Sequence, residues 1–221
     1  MEGLDLLKNI TLLYVEDDVE VNAALSRSLK RVCKEVYIAH DGQQGYELFQ
    51  KHQADIDIIV TDIKMPVLDG IGMIKKIRQI DPLKSIIITS AHGESEYLYE
   101  AIDEGVASYI LKPVNKKRLK ETLIYNARAI KQENLERKTI ESIERFLELP
   151  DSAAMLFKDR QIIKASQKVL DLFGYEDISQ LNSFKERILK NLTEGSVTID
   201  EREYKLFGQN INGSMVLIFI Q

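Results

Sequence analysis

Four short groups of reactive side chains follow one another along the first half of the chain: Glu16-Asp17-Asp18, Asp62, Ser90-Ala91 and Lys112-Pro113. Each comes directly after a short apolar run. Carboxylates crowded together repel one another unless a cation neutralises them, and a hard divalent ion takes oxygen ligands of this kind. A carboxylate can also attack a phosphoryl donor to form an acyl phosphate. A neighbouring ammonium and a metal would offset the charge that builds on the transferring oxygens. Glu16-Asp17 alone would read more readily as a helix start, with Asp17 or Asp18 as the cap. Asp62 tips the balance, because it ends a central apolar run of its own.

The runs that must position these groups are Ile10 to Val15, Glu35 to Ala39, Ile56 to Thr61, Ser85 to Thr89 and Ala107 to Leu111. Ile56-Asp57-Ile58-Ile59-Val60 and Ile86-Ile87-Ile88 are almost continuously β-branched, as strands buried on both faces are. Segments of helical period lie between them, one carrying Val21, Ala24, Leu25, Leu29 and Val32, another Leu98, Ala101, Ile102 and Val106. Asp41-Gly42, Asp69-Gly70, Pro82 and Gly105 punctuate the alternation. This predicts a five-stranded, doubly wound parallel sheet of flavodoxin-like order over residues 1–115. In such a sheet the C-terminal strand ends share one edge, which brings the four groups to one rim.

The texture changes after residue 115. About 35 residues without Gly or Pro, rich in Lys, Glu, Arg, Leu and Ile, predict a helical linker over 116–150 closed by Pro150. Leu119, Leu123, Ala127 and Ile130 could line one face, and Ile140, Ile143 and Leu147 another. A parallel two-stranded coiled coil is expected there, the alternative being a final domain helix that runs into a solvated connector; a strict heptad from Leu119 meets Asn126, Glu133 and Arg137 at seam positions. Residues 151–221 predict a small α+β domain with an antiparallel sheet. Its strands are Ala153 to Phe157, Gln161 to Ala165, Ser196 to Ile199, Glu203 to Phe207 and Met215 to Ile220, with a helical patch ending at Gly174-Tyr175. Leu156, Phe157, Leu170, Phe173, Phe184, Leu206 and Phe219 are its expected core. At about 70 residues such a domain is marginal alone, which suits a module that dimerises.

Composition narrows the classes. The chain of 221 residues carries a net charge of −5 and is 44% hydrophobic, as an ordinary soluble protein is. No apolar run approaches a membrane span. The acidic start Met1-Glu2-Gly3-Leu4-Asp5 lacks the basic region of a secretory signal. A cytoplasmic protein is expected. Cys33 is the single cysteine and reads as a core residue, and every histidine precedes residue 93. The second half therefore offers neither a haem ligand nor a flavin thiol. Residues 1–115 hold 19 acidic against 12 basic residues, and the remainder 16 against 18. No basic stripe suits a phosphate backbone, so DNA binding is disfavoured.

With Val15-Glu16-Asp17-Asp18, Thr61-Asp62-Ile63-Lys64-Met65-Pro66, Asp69-Gly70, Thr89-Ser90-Ala91 and Tyr109-Ile110-Leu111-Lys112-Pro113 in this order, residues 10–115 resemble the receiver domain of bacterial two-component response regulators. The resemblance implies Asp62 as phosphoacceptor, and Mg2+ held by Glu16, Asp17, Asp62 and the backbone carbonyl of Lys64. It implies Ser90 as the switch hydroxyl, Tyr109 as the aromatic that moves with it, Lys112 as the phosphate-pairing lysine, and a cis Lys112-Pro113 bond. Asp18 lies one place past the acidic pair and caps a helix or is solvated. Lys64 and His92 could overhang the site and set the lifetime of the phosphorylated state. Residues 151–221 resemble, more weakly, a compact PAS-type sensor domain.

The function expected is that of a phosphorelay response regulator, not itself an enzyme, phosphorylated by a sensor histidine kinase or phosphotransfer protein. It would signal through the helix to a PAS-like domain as a homodimer. The alternatives are the regulatory front of a larger histidine kinase or cyclic-dinucleotide cyclase, and a DNA-binding transcription regulator. No Gly-rich nucleotide loop after residue 115 supports catalysis within the chain.

Overall fold

A computed structural model describes residues 2–91, 95–149, 152–159, 161–183, 196–199, 202–211 and 214–220. The chain forms two compact units, Met1–Gln132 and Glu133–Gln221.

The first unit is built on β1 (Thr11–Val15), β2 (Glu35–Ala39), β3 (Ile58–Asp62), β4 (Ser85–Ser90) and β5 (Ser108–Leu111). All neighbours are parallel, in the order β2-β1-β3-β4-β5. The order reverses between β1 and β3, the place beyond whose strand ends sheets of this kind bind their ligands. Every residue of β1 and β3 is buried, which explains runs with no polar alternation.

Helices cover both faces. One face carries α1 (Glu2–Leu7), α2 (Val19–Leu29) and the first half of α6 (Lys116–Leu147). The other carries α3 (Gly42–His52), α4 (Gly70–Arg78) and α5 (Ser95–Asp103). Asp18, Asp41 and Asp69 cap α2, α3 and α4, each accepting a backbone N–H of the first turn. Helix α1 has no counterpart among the expected elements. Its Leu7 is fully buried and accepts from Lys34 N, and Gly3 packs directly on Ile124 of α6.

Leu119, Leu123 and Ala127 are buried against this sheet, not held in a seam between two chains. Asn126 faces the same way: its Nδ2 donates to Ser108 Oγ at 3.2 Å and its Oδ1 accepts from Ser85 Oγ at 3.3 Å. The first unit therefore continues to Gln132, past the boundary at residue 115 drawn from composition.

The second unit has an antiparallel sheet of β6 (Ala154–Lys158), β7 (Gln161–Ala165), β8 (Ser196–Ile199), β9 (Arg202–Ile211) and β10 (Ser214–Ile220). Its order is β7-β6-β10-β9-β8. Helix α7 (Gln167–Phe173) is capped by Ser166 and stopped by Gly174 at φ 69°, a conformation that favours glycine. Residues 178–183 are also helical, and Asn182 bonds both Ile162 N and Ile162 O, covering the open edge of β7. Met155, Phe157, Val169, Leu206, Leu217 and Phe219 fill one face of the sheet, with Leu170 and Phe173 partly buried against them. Leu156 lies on the other face with Ile143 and Leu147. Phe184 lies outside the described residues.

Candidate functional site

The strand register builds the rim. Val15 pairs with Thr61, Asp62 with Thr89, and Ser90 with Leu111. Glu16, Asp62, Ser90 and Lys112 therefore each sit within a residue of a strand's C-terminal end. In a parallel pair, residues at the same level share an edge, so the register alone brings them side by side.

Lys112 lies at the centre. Its Nζ is 2.6 Å from Asp62 Oδ2 and 3.0 Å from Glu16 Oε1. Asp62 Oδ1 accepts the N–H of Ile63 at 2.8 Å. One oxygen from each of Glu16, Asp17 and Asp62 lies within 4.8 Å of the others. Glu16 is fully buried and Asp62 only 6% exposed, while Asp17 is half-buried and open to solvent.

The charges do not balance. Three carboxylates face one ammonium, so negative charge remains. Burial pushes the Glu16 and Asp62 carboxyls above their ordinary range, against the pull of Lys112. Burial acts to lower the Lys112 pKa, but its hydrogen bonds to Asp62 and Glu16 outweigh this and raise it. Glu16 Oε2 is buried without a hydrogen-bond partner. A buried anionic oxygen left over in a negative cluster is what a divalent cation would satisfy. The residues fit such an ion.

Other expected residues are nearby in different states. Ser90 is 5% exposed, and its hydroxyl donates to Ala91 O at 3.2 Å. Tyr109 is 47% exposed, turned outward on β5. Lys64 is exposed, with Nζ 5.4 Å from the centre of the Tyr97 ring. Asp18 accepts from Glu20 N and Val21 N, and so acts as the cap of α2. The Lys112-Pro113 peptide is cis. His92 lies outside the described residues.

Two further contacts support the site, of which the sequence marks only Gly70, as part of the Asp69-Gly70 turn. Asn22, 3% exposed on α2, donates to Glu16 O at 2.8 Å and to Ala39 O at 3.3 Å, tying the acidic loop to the end of β2. Reading α2 by its apolar stripe passes over a short amide on the same face. Gly70 comes so close to β3 that a Cβ there would lie 2.1 Å from Asp62 O. Its N–H donates to Ile63 O at 2.7 Å and fixes the turn after Asp62.

Comparison with known proteins agrees with this geometry. The chain is 35% identical over 100 residues to the transcriptional regulatory protein YesN of Bacillus subtilis, covering 45% of this chain and 27% of that protein. It is 32% identical over 113 residues to the chemotaxis protein CheY of Treponema pallidum, covering 51% of this chain and 78% of that protein. A crystal structure of a response regulator receiver domain protein from Clostridium thermocellum matches with 29% identity and a TM-score of 0.52, over 57% of this chain and 98% of that one. An N-terminal domain from Wolinella succinogenes matches with 37% identity and a TM-score of 0.52, over 57% and 98%. The chain thus spans about a quarter of YesN. Residues 12–124 match the family model of the response regulator receiver domain, and the chain belongs to that family.

Proposed function

We infer that Asp62 is a phosphoacceptor and that the chain is a phosphorelay response regulator, served by a histidine kinase or phosphotransfer protein. The observation that carries this is the cluster of Glu16, Asp17, Asp62 and Lys112 at the C-terminal ends of β1, β3 and β5. Glu16, Asp17 and Asp62, with the carbonyl of Lys64, would hold Mg2+. When bound, the ion shields the negative charge of the acids and of the entering phosphoryl oxygens.

The residues divide the remaining work. A carboxylate oxygen of Asp62 forms the new bond to phosphorus, while the bond from phosphorus to the donor's imidazole breaks and the imidazole keeps the electron pair. Lys112 moves from the carboxylates towards the phosphoryl oxygens. Ser90 turns its hydroxyl from Ala91 O to a phosphoryl oxygen, and Tyr109 follows it inward. The β5 and α6 surface is thereby remodelled, and α6 carries the change onwards. A shift from 1:99 to 99:1 needs about 5.5 kcal/mol of differential interaction.

The second unit is assigned as PAS-like. Support comes from its hairpin, helices and three closing strands in the order β7-β6-β10-β9-β8. The chain is assigned as a cytoplasmic homodimer, with no catalytic domain of its own. Among the described residues, no helix is long and apolar enough to cross a membrane. Leu135, Ile140 and Phe146 of α6 are exposed and available for self-association, whereas Leu119, Leu123 and Ala127 are taken up within the first unit. The names of YesN and of ZraR of Escherichia coli support a second reading, in which the output is transcriptional. The chain covers 27% and 26% of those proteins. A gel shift in low salt with phosphorylated chain separates the two outputs.

The test of the main reading uses acetyl phosphate with Mg2+. One acid-labile, hydroxylamine-sensitive phosphoryl group per chain is expected, and its persistence in Asp62→Ala would refute the assignment.

A further inference from the structure

Two buried side-chain atoms of the described residues have no hydrogen-bond partner: the Tyr14 hydroxyl and Glu16 Oε2. Their residues are two apart at the end of β1, so both side chains project from the same side of the sheet. Both are 0% exposed. Burial first, and then the negative charges of Glu16, Asp62 and Asp18, hold the Tyr14 phenol in its neutral, donating form. Tyr14 is the next-to-last residue of β1 and Glu16 directly follows that strand, so the two buried side chains are neighbours on one side of it.

Packing alone does not account for a tyrosine here. Tyr14 belongs to the same core cluster as Leu12, Leu25, Leu29 and Leu123, apolar company that a phenylalanine ring would suit equally. An enclosed hydroxyl without an acceptor carries a desolvation cost that phenylalanine avoids. Glu16, for its part, depends on one side-chain donor. Lys112 reaches Oε1 at 3.0 Å while also holding Asp62 Oδ2 at 2.6 Å. A phosphoryl group on Asp62 places new anionic oxygens beside that ammonium. Lys112 then divides its hydrogen bonds between those oxygens and Glu16.

We propose that Tyr14 is a positioning residue for the acid site, its hydroxyl donating to Glu16 and holding that carboxylate in place for a bound metal ion and when Lys112 turns to the phosphoryl group. The hydroxyl hydrogen rotates freely, and Oε2 has unused acceptor capacity. The inference rests on Asp62 being the phosphoacceptor.

The experiment is a double-mutant cycle on the full chain with Tyr14→Phe and Glu16→Gln. Tyr14→Phe removes one oxygen and keeps the ring, so its unfolding midpoint should equal or exceed that of the parent. A clearly lower midpoint would give the hydroxyl a purely structural partner and overturn the proposal. Calorimetry with Mg2+ alone should show about tenfold weaker binding to Tyr14→Phe, the usual scale for losing a residue that orients a metal ligand. With acetyl phosphate, the maximal phosphorylation rate should fall about tenfold with little change in KM. Adding Tyr14→Phe to Glu16→Gln should cost nothing further. Rates and affinities within about twofold of the parent, or losses that multiply in the double mutant, would overturn it. A parent chain that accepts no phosphoryl group would overturn the assignment of Asp62 as well. A phosphorylated parent with an indifferent Tyr14→Phe overturns this proposal alone.

Discussion

Lys112 and Asp62 show how a buried site can be both held together and left incomplete. The ammonium bridges Asp62 and Glu16, yet one positive charge cannot balance the acids around it. Relieving that imbalance should stabilise the fold. Asp62→Asn is expected to raise the stability of the metal-free chain by about 1–2 kcal/mol, read by urea titration. The same variant should lose most of the stabilisation that Mg2+ gives the parent. A less stable Asp62→Asn would show that the Lys112 pair outweighs the repulsion. Lys64 sits two residues beyond Asp62 with its ammonium over the Tyr97 ring. If it shields the acyl phosphate from water, Lys64→Ala should lose its phosphoryl group more than about twofold faster than the parent, since shaping water access is a small barrier effect. An unchanged lifetime would remove Lys64 from that role. The acids, the serine and the lysine were legible because each ends an apolar run. Tyr14 and Asn22 were not, since a tyrosine counts as core and a buried amide interrupts a stripe without a spacing of its own.

At the scale of elements, the turn between β3 and α4 ties catalytic geometry to packing. Gly70 lies against the Asp62 carbonyl, and a Cβ there would also meet Ile63 Cα at 3.1 Å. Both neighbours are backbone and cannot swing aside. Gly70→Ala should therefore cost about 1–3 kcal/mol of stability and weaken Mg2+ binding together with it, measured on the same sample. A stable variant with parental affinity would show that the turn can shift without disturbing Asp62. The five parallel strands were readable to within about two residues, because β-branched runs buried on both faces leave a strong signal. Helix α1 was missed for the opposite reason: six residues are too few to display a period. The heptad over α6 misled at Asn126. That residue looked like a flaw in a seam but serves the sheet, bonding Ser85 and Ser108.

The molecule as a whole divides where packing ends and not where composition changes. From Asn115 to Leu149 the chain has neither glycine nor proline, yet Leu119, Leu123 and Ala127 complete the first core. A fragment of residues 1–132 should unfold cooperatively and run as a monomer, whereas 1–115 should be largely unfolded, because it lacks three buried apolar side chains worth about 1.5–3 kcal/mol for each leucine. Cooperative unfolding of 1–115 would contradict this. If residues beyond 132 carry self-association, light scattering should find a dimer for the full chain only. The most direct measurement of the central claim is borohydride trapping after reaction with acetyl phosphate, which reduces an aspartyl phosphate to homoserine, followed by peptide mapping. The expected result is homoserine at position 62, formed with Mg2+ and lost without it. Homoserine at Asp17 or elsewhere, 5-hydroxynorvaline at Glu16, or labelling indifferent to the metal, would contradict the account.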